Sequence, residues 1–207
     1  MNKRSALTAG LIIISGMGLA FAGVPAAAPA AQSASVSQED AKAKEFKDIL
    51  FKLVRQDEYL DETIDKLDSA DGRLGGHEIS ALGLSLKLIA GNLNKVSELN
   101  KTQFAAIQPG SSLSRYTNTI LSYSNKLLRK SGQVNALVAG IAAKNKKSAM
   151  RDAVVSRKGG KKARGKKISQ LLEEQKALET LTSDARKLRG ASRNLAATSK
   201  WLYIASK

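Results

Sequence analysis

Apolar residues recur at alternating spacings of three and four along most of the chain, which is the pattern of amphipathic helices and not of strands. From about residue 38, four such segments follow one another. Their apolar seams run from Phe46 to Leu67, from Ile79 to Ile107, from Leu113 to Ile141 and from Leu171 to Leu202. The spacing predicts four long helices that bury these seams against one another.

Short breaks separate the first three segments. Asp71-Gly72 follows the first seam, and Pro109-Gly110 ends the second. Ser37 is the predicted N-cap of the first helix, and Ser111 or Ser112 that of the third. We therefore predict an all-α fold, an antiparallel four-helix bundle with up-down-up-down topology in which short turns make the first three helices successive neighbours. The alternative is a pair of helical hairpins in an extended rod or an oligomeric coiled coil.

The N-terminus has the pattern of an export signal. Lys3 and Arg4 precede an apolar run that ends in Ala20-Phe21-Ala22, a small-x-small cleavage pattern. We predict a signal peptide over residues 1–22 and a periplasmic or secreted protein of bacterial type. The alternative is an uncleaved membrane anchor, although the apolar run is interrupted by glycines and is shorter than the roughly 20 residues that span a bilayer.

An Ala-, Pro- and Ser-rich stretch follows the predicted signal peptide. Residues 23–37 have almost no large apolar side chain to bury, so we predict a disordered linker. The helical bundle is then expected to occupy residues 38–207.

Composition narrows the chemistry. The chain has no Cys and a single His, so disulfides, cysteine-ligated metals and sites with several histidines are excluded. Acidic, basic and nucleophilic groups do not converge in any motif. We therefore expect no enzyme, no catalytic residues and no cofactor.

The positive charge is concentrated in one part of the chain. The formal net charge is +16, and residues 144–167 alone hold 11 Lys or Arg and one Asp. Residues 39–71, in contrast, hold 11 acidic and 6 basic residues. The positive charge is thus a property of one segment and not of the whole surface.

A basic, Gly/Lys-rich loop is predicted over about residues 148–167. Its glycines and repelling charges predict a mobile, solvated segment that attracts polyanions with little sequence selectivity. No aromatic residue interleaves the bases, which disfavours base stacking. The residues expected to bind a polyanion are Arg157, Lys158, Lys161, Lys162, Arg164, Lys166 and Lys167.

These features predict an exported, non-enzymatic binding or structural protein. Its loop would engage an anionic envelope or extracellular partner, namely phospholipid headgroups, lipopolysaccharide or, less favoured, nucleic acid, and any membrane contact would be peripheral. In the first alternative the loop is only a connector, and the bundle assembles with itself or with a helical partner. In the second alternative the bundle responds weakly to calcium.

The calcium alternative rests on the turn after the first helix. Asp68, Asp71 and Glu78 resemble the ligands of an EF-hand-type loop, in which Asp71-Gly72 would form the central turn. The loop is one residue short when Asp68 is the first ligand. The favoured interpretation is therefore a glycine-rich helix end without a metal.

Two charged residues fall within the apolar seams. Counting along the turns places Asp57 and Lys130 in one layer near the middle of the bundle, with Ala185 leaving room beside them. We predict a buried ion pair that specifies register, the alternative being that both side chains reach the surface. Trp201 and Tyr203 are predicted to hold the last helical turn in place.

Overall fold

Four α-helices make up most of the described chain. They are α1 (Ala30–Ser69), α2 (Gly76–Ala106), α3 (Ser114–Val155) and α4 (Lys161–Ala205). The computed structural model describes the backbone of residues 30–70, 74–110, 112–155 and 161–207. Side chains are described for residues 40–70, 74–105, 107–110, 112–148, 169 and 172–207. Within these ranges the protein is all-helical, with no strand.

The beginning of α1 differs from the prediction. Contacts divide the chain into residues 1–37 and a compact unit of residues 38–207. The backbone of residues 30–37 is helical, so α1 starts at Ala30 and not after a cap at Ser37. Alanine is the strongest helix former, which explains the early start. The predicted signal peptide and the first part of the predicted linker lie outside the described residues.

The predicted seams form the core of the compact unit. Nearly every apolar seam residue between Phe46 and Leu202 is buried or packs against the buried set. Burial of each large apolar side chain stabilises the fold by about 1.5–3 kcal/mol. The largest fully buried side chains are Phe46, Leu53, Leu60, Leu86, Ile89, Leu93, Ile120, Leu127, Leu181, Leu188, Leu195 and Leu202.

Polar contacts show that α1 has one antiparallel and one parallel neighbour. Asn92 of α2 donates a hydrogen bond to Gln56, and Gln103 donates one to Glu45, so these two helices run in opposite directions. The α1–α3 contacts advance together along both helices, from the stacked rings of Phe46 and Tyr116 to the Asp61–Lys130 ion pair. α1 and α3 are therefore parallel neighbours.

α4 packs against both α2 and α3. Lys87 approaches Asp184 and Asn100 donates to Ser199, so α2 and α4 are parallel. The contacts give the cyclic order α1, α2, α4, α3. Helices that follow one another along the chain run in opposite directions, as predicted. However, α2 and α3 lie across a diagonal of the bundle and are not the side-by-side neighbours that the short turn between them suggested.

The turn between α2 and α3 explains this diagonal. Residues 107–113 can span up to about 23 Å when extended, which is enough to cross the end of a bundle. Gly110 has a φ of 76°, in the left-handed region that favours glycine. Its N–H donates a hydrogen bond to the carbonyl of Ser206 at 3.3 Å, so the turn lies against the C-terminal end of α4.

Small hydroxyl residues line the contact between α3 and α4. The hydroxyls of Thr117 and Ser206 lie 2.7 Å apart, and those of Ser124 and Ser199 are separated by the same distance. Both pairs are fully buried, and Thr117 and Ser124 are seven residues apart in the chain, as are Ser199 and Ser206. The same register places buried Ser131 opposite buried Ser192. This hydroxyl ladder lets the two helices approach closely and defines their register.

One rung of the hydroxyl ladder extends to a third helix. The side-chain amide of Asn100, on α2, donates to Ser199 Oγ at 2.9 Å. Ser199 lies beside Ser124, whose hydroxyl donates to the carbonyl of Ile120 at 2.7 Å. Buried polar groups require such partners because an unpaired one costs about 1–3 kcal/mol. The chain of hydrogen bonds ties α2, α4 and α3 together at one level.

α3 and α4 continue beyond the turn that joins α1 to α2. Among the described side chains, Ile141 is the last buried residue of α3 and Leu178 is the first of α4. Residues 142–155 and 161–176, here called the arm, therefore extend about 20–25 Å past the core at 1.5 Å per residue. The predicted loop over 148–167 is wrong in extent, because backbone helix reaches Val155 and resumes at Lys161. Lys, Arg and Ala are good helix formers, and their charge alone does not prevent a helix.

Two serines of α3 should respond differently to replacement by Leu, because only one of them belongs to the hydroxyl ladder. Replacing Ser124 by Leu inserts a large side chain where α3 and α4 touch, so we expect a loss of about 1–3 kcal/mol in the free energy of unfolding. Ser122→Leu, at an exposed position, is the matched control and should change stability by less than about 0.5 kcal/mol. Chemical denaturation followed by circular dichroism measures both. Equal losses would show that the ladder does not determine packing.

Candidate polyanion-binding site

The arm carries the basic residues that the sequence singles out. The side chains of Lys144, Lys146 and Lys147 are exposed on the α3 part of the arm. The α4 part begins with Lys161, Lys162, Arg164, Lys166 and Lys167, whose backbone is helical and whose side chains lie outside the described set. Arg157 and Lys158 also lie outside it. The structure thus places five of the seven predicted binding residues in the first two turns of one helix.

The start of α4 adds to the positive potential of these bases. Unpaired N–H groups give a helix N-terminus a partial positive charge, which acidic residues in the first turn usually offset. The first turn of α4 contains no acidic residue and begins with two lysines. The like charges destabilise this helix end when it is free, and a bound anion would relieve that repulsion.

The turn proposed for calcium is organised differently. Glu78 Oε2 accepts a hydrogen bond from the Gly75 N–H at 2.8 Å, so this carboxylate caps α2. Asp68 is exposed near the end of α1, and Asp71 is not among the described residues. In the part of the chain that is described, no group of three or more acidic or histidine side chains is arranged to hold a metal ion.

Asp57 and Lys130 lie together, and two further residues join them. Lys130 Nζ lies 2.5 Å from Asp57 Oδ1 and 2.6 Å from Asp61 Oδ1. Lys130 and Asp57 thus form an ion pair, and Lys126 donates a 2.6 Å hydrogen bond to Asp57 Oδ2. Asp57 is only 7% exposed. Sequence counting did not find Lys126 or Asp61, because they flank the seam and reach the pair through long or exposed side chains.

The two lysines control the ionisation of Asp57. Burial alone would raise the pKa of Asp57, but the hydrogen bonds and charges of Lys126 and Lys130 outweigh it and hold the pKa below the usual 3.8. The same hydrogen bond, from Lys126 to Asp57, raises the pKa of Lys126, and burial opposes this with a smaller effect. Asp57 and Lys126 therefore stay charged at neutral pH, and their ion pair joins α1 to α3.

A second feature of the surface was not predicted. Parallel α2 and α4 border an open groove of about 520 Å³, here called the α2–α4 groove, with Phe104 and Trp201 among its lining residues. Trp201 is 61% exposed, so the prediction that it packs the last helical turn is wrong. The groove follows from the small residues that separate the large ones on both helices, including Ser97 and Ala197. The position of these small residues was the signal of the groove that the sequence offered.

Comparison of the chain with protein-family models, curated proteins and solved structures finds no match. Over the described ranges, none of the helices combines the length and hydropathy needed to cross a membrane. The function is accordingly inferred from the residues themselves.

Replacing Asp57 by Asn leaves Lys126 and Lys130 facing each other without their shared carboxylate. We expect a loss of about 1–3 kcal/mol, below the roughly 3–5 of a fully buried pair because Lys126 is half exposed. The folded pKa of Asp57 is lowered, so its contribution is complete above 3.8 and disappears as the pH falls through the folded pKa. Lowering the pH below about 4 should therefore reduce the free energy of unfolding of the wild type more than that of Asp57→Asn, as measured by chemical denaturation at each pH.

A double-mutant cycle with Lys130→Met isolates the pair itself. The two substitutions should be less damaging together than the sum of their separate effects, because the second removes the charge that the first leaves unpaired. Additive effects would mean that Asp57 and Lys130 do not stabilise one another.

Proposed function

We propose that this protein is an exported, non-enzymatic binding protein that uses its basic arm to capture phosphate-bearing polyanions on an envelope surface or in the extracellular medium. The helical bundle serves as a rigid spacer for the arm. The observation that carries the proposal is the extension of α3 and α4 beyond the core, in the region where the basic residues are concentrated.

The arm suits electrostatic capture for two reasons. Its far end lies about 20–25 Å from the core, which is more than two Debye lengths at physiological ionic strength, so the acidic residues of the core screen the bases there little. Its helical backbone also holds part of the positive charge in place, which reduces the conformational entropy lost on binding. Exposed Lys144, Lys146 and Lys147 extend the basic surface beyond the seven predicted residues.

The partner class follows from the chemistry of the arm. Lysine and arginine bind phosphate oxygens through charge-assisted hydrogen bonds and release counterions from polyanions. Anionic phospholipid and lipopolysaccharide are the favoured partners, because the N-terminal sequence predicts export. Nucleic acid shares the same phosphate chemistry and is distinguished from them by experiment.

Binding is tested with the full chain against phosphatidylglycerol vesicles, lipopolysaccharide and duplex DNA across a salt series. In the arm variant, the seven Lys and Arg residues of 157–167 become Gln. We expect wild-type affinity to fall steeply with salt, and the arm variant to bind at least about tenfold more weakly with a shallower salt dependence. The order of affinities for the three probes then identifies the partner.

A control variant carries the same change in net charge elsewhere on the surface. Seven exposed bases outside the arm become Gln: Lys52, Lys66, Lys95, Arg186, Arg189, Arg193 and Lys200. This variant should stay within about threefold of the wild type, since only distant charges are lost. Equal weakening of both variants would point to nonspecific attraction by net charge. Unaltered binding of the arm variant would make residues 157–167 a connector.

Self-assembly is a second candidate function, favoured by an apolar stripe on α2. Leu84 and Leu88 are more than half exposed, and Leu99 is partly exposed. Spacings of 4 and 11 residues place all three on one face of the helix. Exposed apolar side chains grouped in this way are typical of a surface that another protein covers, here a second copy of the chain.

Light scattering tests this second candidate. A self-assembling wild type should have at least twice the mass of one chain, and Leu84→Ser with Leu88→Ser should return it to the mass of one chain. Phe51→Ser, at another exposed apolar position on α1, is the control and should leave the mass unchanged. A wild type with the mass of one chain at high protein concentration would rule out assembly through this stripe.

A further inference from the structure

The α2–α4 groove lies at the level where α2 and α4 are tied together by polar contacts. Ser97 and Thr198 place their hydroxyl oxygens 3.2 Å apart across it. Both helices run in the same direction here, so their side chains form two parallel walls. The volume of about 520 Å³ falls within the range of small-molecule sites, which is about 300–1,000 Å³.

A buried amide in the wall of the groove has a carbonyl oxygen without a hydrogen-bond donor. Asn100 is 0% exposed, and its nitrogen donates to Ser199 Oγ at 2.9 Å. Its Oδ1 accepts no hydrogen bond from the described residues. A buried acceptor without a donor costs about 1–3 kcal/mol, so this wall of the groove holds a polar group that the described residues leave unsatisfied.

The remaining polar lining carries no net charge. Asn94 and Asn194 contribute amides from opposite walls, and each amide both donates and accepts hydrogen bonds. Glu98 is neutralised by Lys101, whose Nζ lies 2.7 Å from Oε1. A lining of amides and hydroxyls matches a ligand whose own groups both donate and accept, which is the property of sugar hydroxyls.

The apolar part of the lining is aromatic and open to solvent. Trp201 and Phe104 both line the groove and keep about half or more of their side chains exposed. An exposed indole offers a flat apolar face with a negative quadrupole. The C–H face of a pyranose ring is flat and carries weakly positive hydrogens, so it complements such a face.

The groove continues toward the arm as a second cleft. Asn94 and Asn194 also line this cleft, which has a volume of about 430 Å³ and contains Asp184. Asp184 is 2% exposed, and its Oδ2 lacks a hydrogen bond in the described structure, although Lys87 Nζ lies 3.5 Å away. From Asp184 to Trp201 the two clefts follow α4 for about 25 Å, which accommodates several linked rings.

We propose that the α2–α4 groove binds an uncharged oligosaccharide. One pyranose ring stacks on Trp201, and its hydroxyls bond to Asn94 and Asn194. A further ring reaches the cleft that holds Asp184, whose carboxylate accepts from another hydroxyl. The inference is independent of the polyanion binding proposed for the arm.

Trp201 is the only tryptophan of the chain, so its fluorescence reports on the groove. The full-chain protein is titrated with maltotriose, cellotriose and the trimer of N-acetylglucosamine, each to about 10 mM. At least one trisaccharide should change the emission saturably. Asn94→Ala, at an exposed position, should weaken that binding at least about tenfold without unfolding the protein.

Asn125→Ala is the matched control, because it removes an exposed asparagine on α3 away from the groove. It should bind the trisaccharide as the wild type does. A flat titration with all three sugars overturns the proposal. Equal binding by Asn94→Ala, or an equal response to trialanine, also overturns it, the latter by assigning the groove to peptides.

Discussion

The hydroxyl ladder between α3 and α4 is the constraint on which the rest of the structure depends. Thr117 and Ser124 meet Ser206 and Ser199 in buried pairs, and small side chains at these positions allow close packing along both helices. This register determines which residues of α4 face α2. It consequently sets the position of both the α2–α4 groove at one end of α4 and the arm at the other.

Much of the bundle was predictable, because the period of the apolar residues identifies the buried face of every helix. The same period placed Asp57 and Lys130 in one layer, where the structure has them 2.5 Å apart. The arrangement of the helices was harder to predict, because a short turn such as 107–113 can connect either two adjacent helices or two diagonal ones. The extent of α3 could not be predicted, because a dense positive charge is compatible with a solvated loop and, since Lys and Arg favour helices, also with a helix.

The α2–α4 groove could not be predicted for a different reason. Asn100 falls on the second seam, but an asparagine on a seam says nothing about which of its hydrogen bonds are satisfied. That depends on Ser199, which is almost one hundred residues further along the chain. Trp201 near the end of a helix is equally compatible with packing and with exposure, so only the position of α2 decides between them.

The diagonal placement of α2 and α3 has a consequence for how the protein is made. As the chain emerges N-terminus first, α1, α2 and α3 are complete before α4, the element that contacts both α2 and α3. Until α4 follows, the apolar faces of α2 and α3 that it covers stay open to solvent and to other chains. Folding is therefore delayed until late in synthesis, which gives chaperones a long interval with an unfolded chain.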